Sequence, residues 1–203
     1  MAKGPVERLR IPLSRCFIAG IVALVALSDS AWTPRGPTGG AVLFCLGVVL
    51  AALGAMGRLW CSLYIGGRKS KSLVTVGPYS LCRNPLYLFS LIGVLGVGMT
   101  SETLTIPLIA ALGFGAYYPL VIRAEERKLQ GRHGDAFEEY RRRVPRFIPR
   151  LVGFQEPQQY TVHPVLFRKS LVSALWFVWL IGGMRIVKLL HALDAIPTWF
   201  LLY

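Results

Sequence analysis

Side chains able to hold and orient a polar ligand gather in two stretches of the chain. The first contains Lys71-Ser72-Leu73-Val74, the turn Gly77-Pro78 with Tyr79 behind it, and Arg83-Asn84-Pro85-Leu86-Tyr87. The second contains Arg123, the carboxylate pair Glu125-Glu126 and Arg127, followed by Asp135 to Arg146. A carboxylate accepts from ammonium or hydroxyl groups, the Asn84 amide is both donor and acceptor, and a phenol such as Tyr79 or Tyr87 packs on a flat ring or hydrogen-bonds. A guanidinium such as Arg123 orients an anion. On residue physics alone the first stretch also reads as a capped helix start at Asn84-Pro85, with Arg83 at lipid headgroups. Cys16, Cys45, Cys61 and Cys82 form no C-x-x-C pair and His133, His163 and His191 have no metal spacing, so no metal is expected.

The elements that must carry these stretches belong to a membrane protein. Apolar residues make up 54% of the 203, charged residues only 16%, and the mean hydropathy is +0.51, too little polar surface for an ordinary soluble domain and too much apolar content for a disordered chain. Against the ~20 residues that cross a bilayer, five apolar runs stand out: Cys16 to Ser28, Gly39 to Gly57, Leu86 to Thr100, Leu104 to Ile122 and Ser170 to Met184. The three shorter runs need flanking residues to complete a span, with Arg15, Arg168 and Lys169 snorkelling outward. Of the 23 Lys and Arg residues, all but Arg35, Arg185 and Lys188 fall in alternate segments between those runs. That pattern fits an all-α protein of about five transmembrane helices with a cytoplasmic N-terminus, and it places both chemical stretches on the cytoplasmic side. The first run also resembles a cleavable signal peptide, with Ala26-Leu27-Ser28 as its small-residue cluster. Its removal would leave the basic connection from residue 58 to 83 without a partner span.

Within this frame the charge of +13 reads as orientation and headgroup contact rather than nucleic-acid binding. The Arg141-Arg142-Arg143 run lacks the aromatic interleaving or reading motif that nucleic acid would need, and it suits anionic membrane lipid. Glycines in the second and third runs, Gly47, Gly54, Gly93 and Gly96 among them, predict close helix approach. Ser101-Glu102-Thr103 joins runs three and four as a helical hairpin, and Pro107 and Pro119 are candidate kinks in the fourth helix. Beyond it, Asp135-Ala136-Phe137-Glu138 resembles a capping box. It would open a short helix with a Phe137, Tyr140, Val144 stripe and Glu138–Arg142 and Glu139–Arg143 pairs on its wet face. Residues 195 to 203, with Trp199 and Tyr203, read as an interfacial aromatic tail.

Gly77-Pro78-Tyr79, Arg83-Asn84-Pro85-Leu86-Tyr87, Glu125-Glu126, Leu129, Gly134, Tyr140 and Val144-Pro145-Arg146-Phe147-Ile148-Pro149 together resemble the isoprenylcysteine carboxyl methyltransferase family of integral membrane enzymes. The resemblance covers about residues 64 to 150 of a single domain spanning 1 to 203. It implies S-adenosyl-L-methionine as methyl donor, a pocket roofed by the cytoplasmic segments, and a lipophilic or prenylated acceptor entering from the bilayer. Carried onto this chain, the family's cofactor contacts fall on Lys71, Ser72, Leu73, Val74, Tyr79, Asn84, Pro85, Leu86 and Tyr87, with Glu125 or Glu126 supplying a carboxylate. Glu125 is preferred by its spacing from Leu129 and Gly134. Asn84 stands where many members have histidine, and Val121 stands where eukaryotic members have a substrate arginine, which leaves Arg123 as the nearest replacement for orienting a carboxylate acceptor. A phospholipid amine, a small amine or a thiol are alternative acceptors. A membrane lipid or sterol reductase, and a non-enzymatic scaffold for anionic lipid, are alternative functions.

Overall fold

The computed structural model describes residues 19–32, 37–68 and 72–203; Lys71, one of the expected cofactor contacts, lies outside them. Helical residues 19–27 (α1) lead into the short strand β1, Ser28–Ser30. The helices α2 (Pro37–Ile65), α3 (Pro78–Leu81), α4 (Pro85–Met99), α5 (Thr105–Arg143) and α6 (Pro164–Ala192) follow, and strand β2, Phe200–Leu202, comes last. Among the described residues, α2, α5 and α6 are long and apolar enough to cross a membrane, and α4 is a shorter apolar helix. The molecule is an all-α membrane protein apart from the two three-residue strands.

The apolar runs mark the helices but not their ends. α2 continues past Gly57 and across the single charge of Arg58 through largely apolar sequence to Ile65, and α5 continues past Ile122 into polar sequence to Arg143, since a helix keeps its backbone hydrogen bonds whatever its side chains. α2 and α4 form the most intimate pair. A Cβ on Gly54 would stand 2.4 Å from the Gly93 backbone and one on Gly96 2.3 Å from the Ala51 amide nitrogen, so the glycines let the two backbones touch.

The expected hairpin is present, with α4 ending at Met99 and α5 starting at Thr105. Neither proline breaks α5. Its non-helical backbone is at Gly134, with φ 48° and ψ −121°, a left-handed value that glycine adopts without a Cβ penalty. The break separates the long spanning part from the short helix that Asp135 opens. On that short helix Phe137 and Tyr140 are buried, and Glu138–Arg142 and Glu139–Arg143 approach to 3.9 and 3.4 Å.

At the opposite end of the bundle the aromatic tail is a strand rather than a free interfacial segment. Ser28 to Ser30 pair in parallel with Phe200 to Leu202, and Trp199 and Ala31 extend the ladder through Leu27 and Leu202 carbonyls. Glu102, at φ 60° in the hairpin turn, binds Lys188 and lies 3.6 Å from Arg185 on α6. Those two residues make up most of the basic minority noted above, and both face a carboxylate.

Candidate active site

At the other end, the two chemical stretches are stitched into one unit. The Arg83 amide donates to the Pro145 carbonyl at 2.8 Å and the Arg150 amide to the Leu81 carbonyl at 3.0 Å. Arg83 Nη1 donates to the carbonyls of Arg141 and Val144 at 2.8 and 3.0 Å. Asn84 occupies the N-cap position of α4 with Pro85 following it, yet its side chain does not cap the helix. Its Nδ2 donates instead to the Arg146 carbonyl at 3.0 Å. The Tyr140 hydroxyl donates to the Tyr79 carbonyl at 2.7 Å. Prolines at 78, 85 and 145 suit this arrangement, since they fix the backbone where carbonyls of neighbouring segments must be reached.

Arg83 is not at the headgroups. Its side chain is 8% exposed and forks onto Glu126 Oε1, with Nε and Nη2 both at 3.0 Å. Arg146 takes the other oxygen, Oε2, through Nε at 3.1 Å and Nη2 at 2.7 Å. Both oxygens of Glu126 are therefore saturated by guanidinium donors from segments 43 and 20 residues away in sequence. Such a group is a strut, since a buried carboxylate is tolerated only when its lone pairs are met.

Glu125 faces elsewhere. Its Oε2 accepts from the Tyr87 hydroxyl at 2.7 Å. Tyr87 stands edge-on to Tyr118, with centroids 5.3 Å apart, and Tyr118 stacks on Phe114 at 3.7 Å. Phe114 in turn meets Phe147. Tyr118 precedes Glu125 by two helical turns, so the 3.6-residue period puts both on the same face of α5. Sequence reasoning missed Tyr118 and Phe114 although that period was available.

Beneath this pair lies a core of Cys61, Tyr64 and Tyr79, with Val74 and Leu86 packed against it. The Tyr79 hydroxyl is buried and has no hydrogen-bond partner among the described residues. Burial above all, then Cys61, Tyr140 and the Glu125 carboxylate, hold its phenol well above the usual range, so it stays a neutral hydrogen-bond donor. Burial likewise pushes the Cys82 thiol up to about 11, which removes it as a nucleophile near neutral pH. Ser72 is exposed and Leu73 half-buried on the strand of chain leading to this core.

Arg123 is not on the Glu125 face. It lines an open cavity of about 280 Å³ with Glu126, Arg127, Gln130, Phe137, Arg141 and Arg146. The expected residues thus divide between two neighbouring faces of α5: Glu125, with Tyr87 against it, on one, and Arg123 and Glu126 on the other. Among the described residues no three of His, Cys, Asp and Glu gather as a metal group.

An Asn-Pro helix start tied to a carboxylate pair and a Val-Pro-Arg segment carries the chain's likeness to the integral membrane methyltransferases that include the isoprenylcysteine carboxyl methyltransferases, and over almost its whole length the chain belongs to one family with the metal-resistance proteins CzcN and NccN. Residues 38–136 match the phospholipid methyltransferase family model. A protein-S-isoprenylcysteine O-methyltransferase of Schizosaccharomyces pombe is 32% identical over 108 residues, 52% of this chain and 46% of that protein. Similarity over almost the whole chain runs to two metal-resistance proteins. The cobalt-zinc-cadmium resistance protein CzcN of Cupriavidus metallidurans is 40% identical over 94% of this chain and 88% of its own. The nickel-cobalt-cadmium resistance protein NccN of Alcaligenes xylosoxydans xylosoxydans is 37% identical over 96% of this chain and 90% of its own. No solved structure matches the chain significantly.

Proposed function

We propose that the chain transfers the methyl group of S-adenosyl-L-methionine to a lipophilic acceptor, at a site formed by Tyr79, Tyr87 and Glu125 and facing the cytoplasm. The observation that carries this reading is the Glu125 carboxylate, which accepts from the Tyr87 hydroxyl at 2.7 Å, together with the buried Tyr79 hydroxyl, which has no hydrogen-bond partner among the described residues. These groups fit the cofactor's chemistry. Glu125 suits its ammonium or ribose hydroxyls, the Tyr79 hydroxyl supplies a donor for a carboxylate or ring nitrogen, and the Tyr87–Tyr118 pair offers aromatic faces to a cation or a purine. The same geometry favours Glu125 over Glu126, whose oxygens are already occupied.

The bound cofactor would supply an electrophilic methyl on a sulfonium. The protein's part is to position it and exclude water, since methyl transfer to an anionic acceptor neutralises charge and needs no base. The aromatic run from Tyr87 to Phe147 lines the approach with apolar surface, and Arg123, one face away on α5, orients an anionic group of the acceptor. The relatives named for metal resistance fit an enzyme that alters a component of the membrane in which such systems work. Equilibrium binding of tritiated S-adenosyl-L-methionine and of reduced nicotinamide dinucleotide to the chain in nanodiscs tests the assignment. Saturable binding of the first, lost in Glu125→Ala and weakened in Tyr87→Phe, is expected. Binding of the nicotinamide cofactor alone, or undiminished methionine-cofactor binding in both variants, would overturn it.

A further inference from the structure

The cavity on the Arg123 face has an excess of positive charge that the acidic groups among the described residues do not balance. Its one carboxylate, Glu126, has both oxygens taken by Arg83 and Arg146. Arg141 leans on Glu138 at 3.2 Å. Arg123 and Arg127, one turn apart on α5, have no acidic partner among the described residues, and Arg127 Nε rests on the Arg123 carbonyl at 3.4 Å. Four guanidinium groups line the cavity, those of Arg123, Arg127, Arg141 and Arg146, and among the described residues their acidic partners are Glu126, shared with Arg83, and Glu138. Phe137, 2% exposed, supplies an apolar wall, and Gln130 adds an amide donor at the rim. Like charges gathered around a concave, partly apolar surface are stabilised by an anion placed between them.

We propose that this cavity is a phosphate-binding site, with Arg123, Arg127, Arg141 and Arg146 as its donors and a phosphate monoester as its ligand class. A carboxylate brings one charge and two oxygens. A phosphate monoester brings about −1.5 to −2 charges and three acceptor oxygens, enough to meet the two guanidinium groups without an acidic partner among the described residues, Arg123 and Arg127, and still accept from a neighbouring fork. The roughly 280 Å³ of space accommodates such a group with part of what it is esterified to. A lipid phosphate and a soluble phosphate ester share this chemistry. Binding here does not require methyl transfer. If it serves the function proposed above, it anchors the acceptor one helix face away from the cofactor, and binding without any methyl transfer would leave this site standing while removing that function.

The test is titration of the full chain, in a mild non-ionic detergent, with dihexanoyl phosphatidic acid, inorganic phosphate and dihexanoyl phosphatidylcholine. The expected result is saturable binding of phosphatidic acid, at least tenfold weaker in Arg127→Gln, largely restored in Arg127→Lys, and changed less than twofold in Arg142→Gln. Arg142 is 79% exposed and outside the cavity, so it reports the effect of surface charge alone. Competition by inorganic phosphate at parity would identify a soluble ester as the source of the ligand, and a lipid preference of tenfold or more would identify a headgroup; either supports the site. Equal losses in the Arg127 and Arg142 variants, equal binding of phosphatidylcholine, or no saturable binding of phosphatidic acid or phosphate would overturn it.

Discussion

Replacing Glu126 with glutamine keeps the side chain's shape and removes its charge, and the cost follows from what surrounds it. Arg83, 8% exposed, loses the counter-charge that two of its nitrogens share, and a buried ion left without its partner costs about 3–5 kcal/mol. Arg146, 49% exposed, turns to water, so its share is about 0–1 kcal/mol. For a chain of 203 residues, at roughly 2–4 °C per kcal/mol, the combined loss of about 3–6 kcal/mol lowers Tm by about 6–24 °C. Thermal unfolding of the chain in nanodiscs, followed by tryptophan fluorescence, reads this directly. Arg146→Gln, which leaves Glu126 and Arg83 paired, should cost no more than a few degrees. The double variant Arg83→Met/Glu126→Leu should be less damaging than the sum of its single variants, because it removes both buried charges together. A Glu126→Gln Tm within 2 °C of the parent, or strictly additive effects in the double variant, would refute the view of Glu126 as a buried strut.

Other consequences are as direct. Tyr79→Phe deletes a buried hydroxyl that has no partner among the described residues, so the ligand-free chain should keep or slightly raise its Tm. Its affinity for S-adenosyl-L-methionine should fall by about fivefold to thirtyfold, the worth of a hydrogen bond near 1–2 kcal/mol, as measured by equilibrium binding. Gly54→Val drives a side chain into the Gly93 backbone, 2.4 Å from its Cβ position; α2 and α4 must separate, at a cost of about 1–3 kcal/mol, read as a lower Tm. Cys82, its pKa raised from 9.0 to about 11 by burial, stays a neutral thiol in the folded chain while the unfolded chain ionises it. Its contribution to stability is complete below about pH 9 and declines as pH rises toward 11. N-ethylmaleimide at pH 8 should therefore leave Cys82 unmodified in the folded protein and label it on unfolding, as peptide mass mapping will show.

Much of this architecture was legible because hydropathy and charge act locally. Apolar runs located the helices, and the hairpin at Ser101-Glu102-Thr103 followed from a gap too short for anything else. The short helix after Gly134 was readable because Phe137 and Tyr140 recur at helical spacing. Helix ends were not readable, since Arg58 interrupts the apolar run inside α2, which goes on to Ile65, and α5 continues to Arg143 through polar sequence where hydropathy is silent. The β1–β2 ribbon was missed because three-residue strands carry no period, and the aromatic residues of β2 suit a membrane interface equally well. Arg83 was placed at headgroups because its partners, Glu126 and the carbonyls of Arg141 and Val144, are brought to it only by tertiary packing. The choice between Glu125 and Glu126 was open for the same reason: adjacent residues on a helix point about 100° apart, and only the neighbours of each face assign their roles.

The most direct test of methyl transfer is incubation of the chain in nanodiscs with methyl-tritiated S-adenosyl-L-methionine and a total membrane lipid extract, counting tritium that partitions into organic solvent. The expected result is time-dependent organic-phase label that disappears in Glu125→Gln while that variant keeps the parent's Tm. Absence of label from the parent chain, or undiminished label in the Glu125 variant, would contradict the assignment.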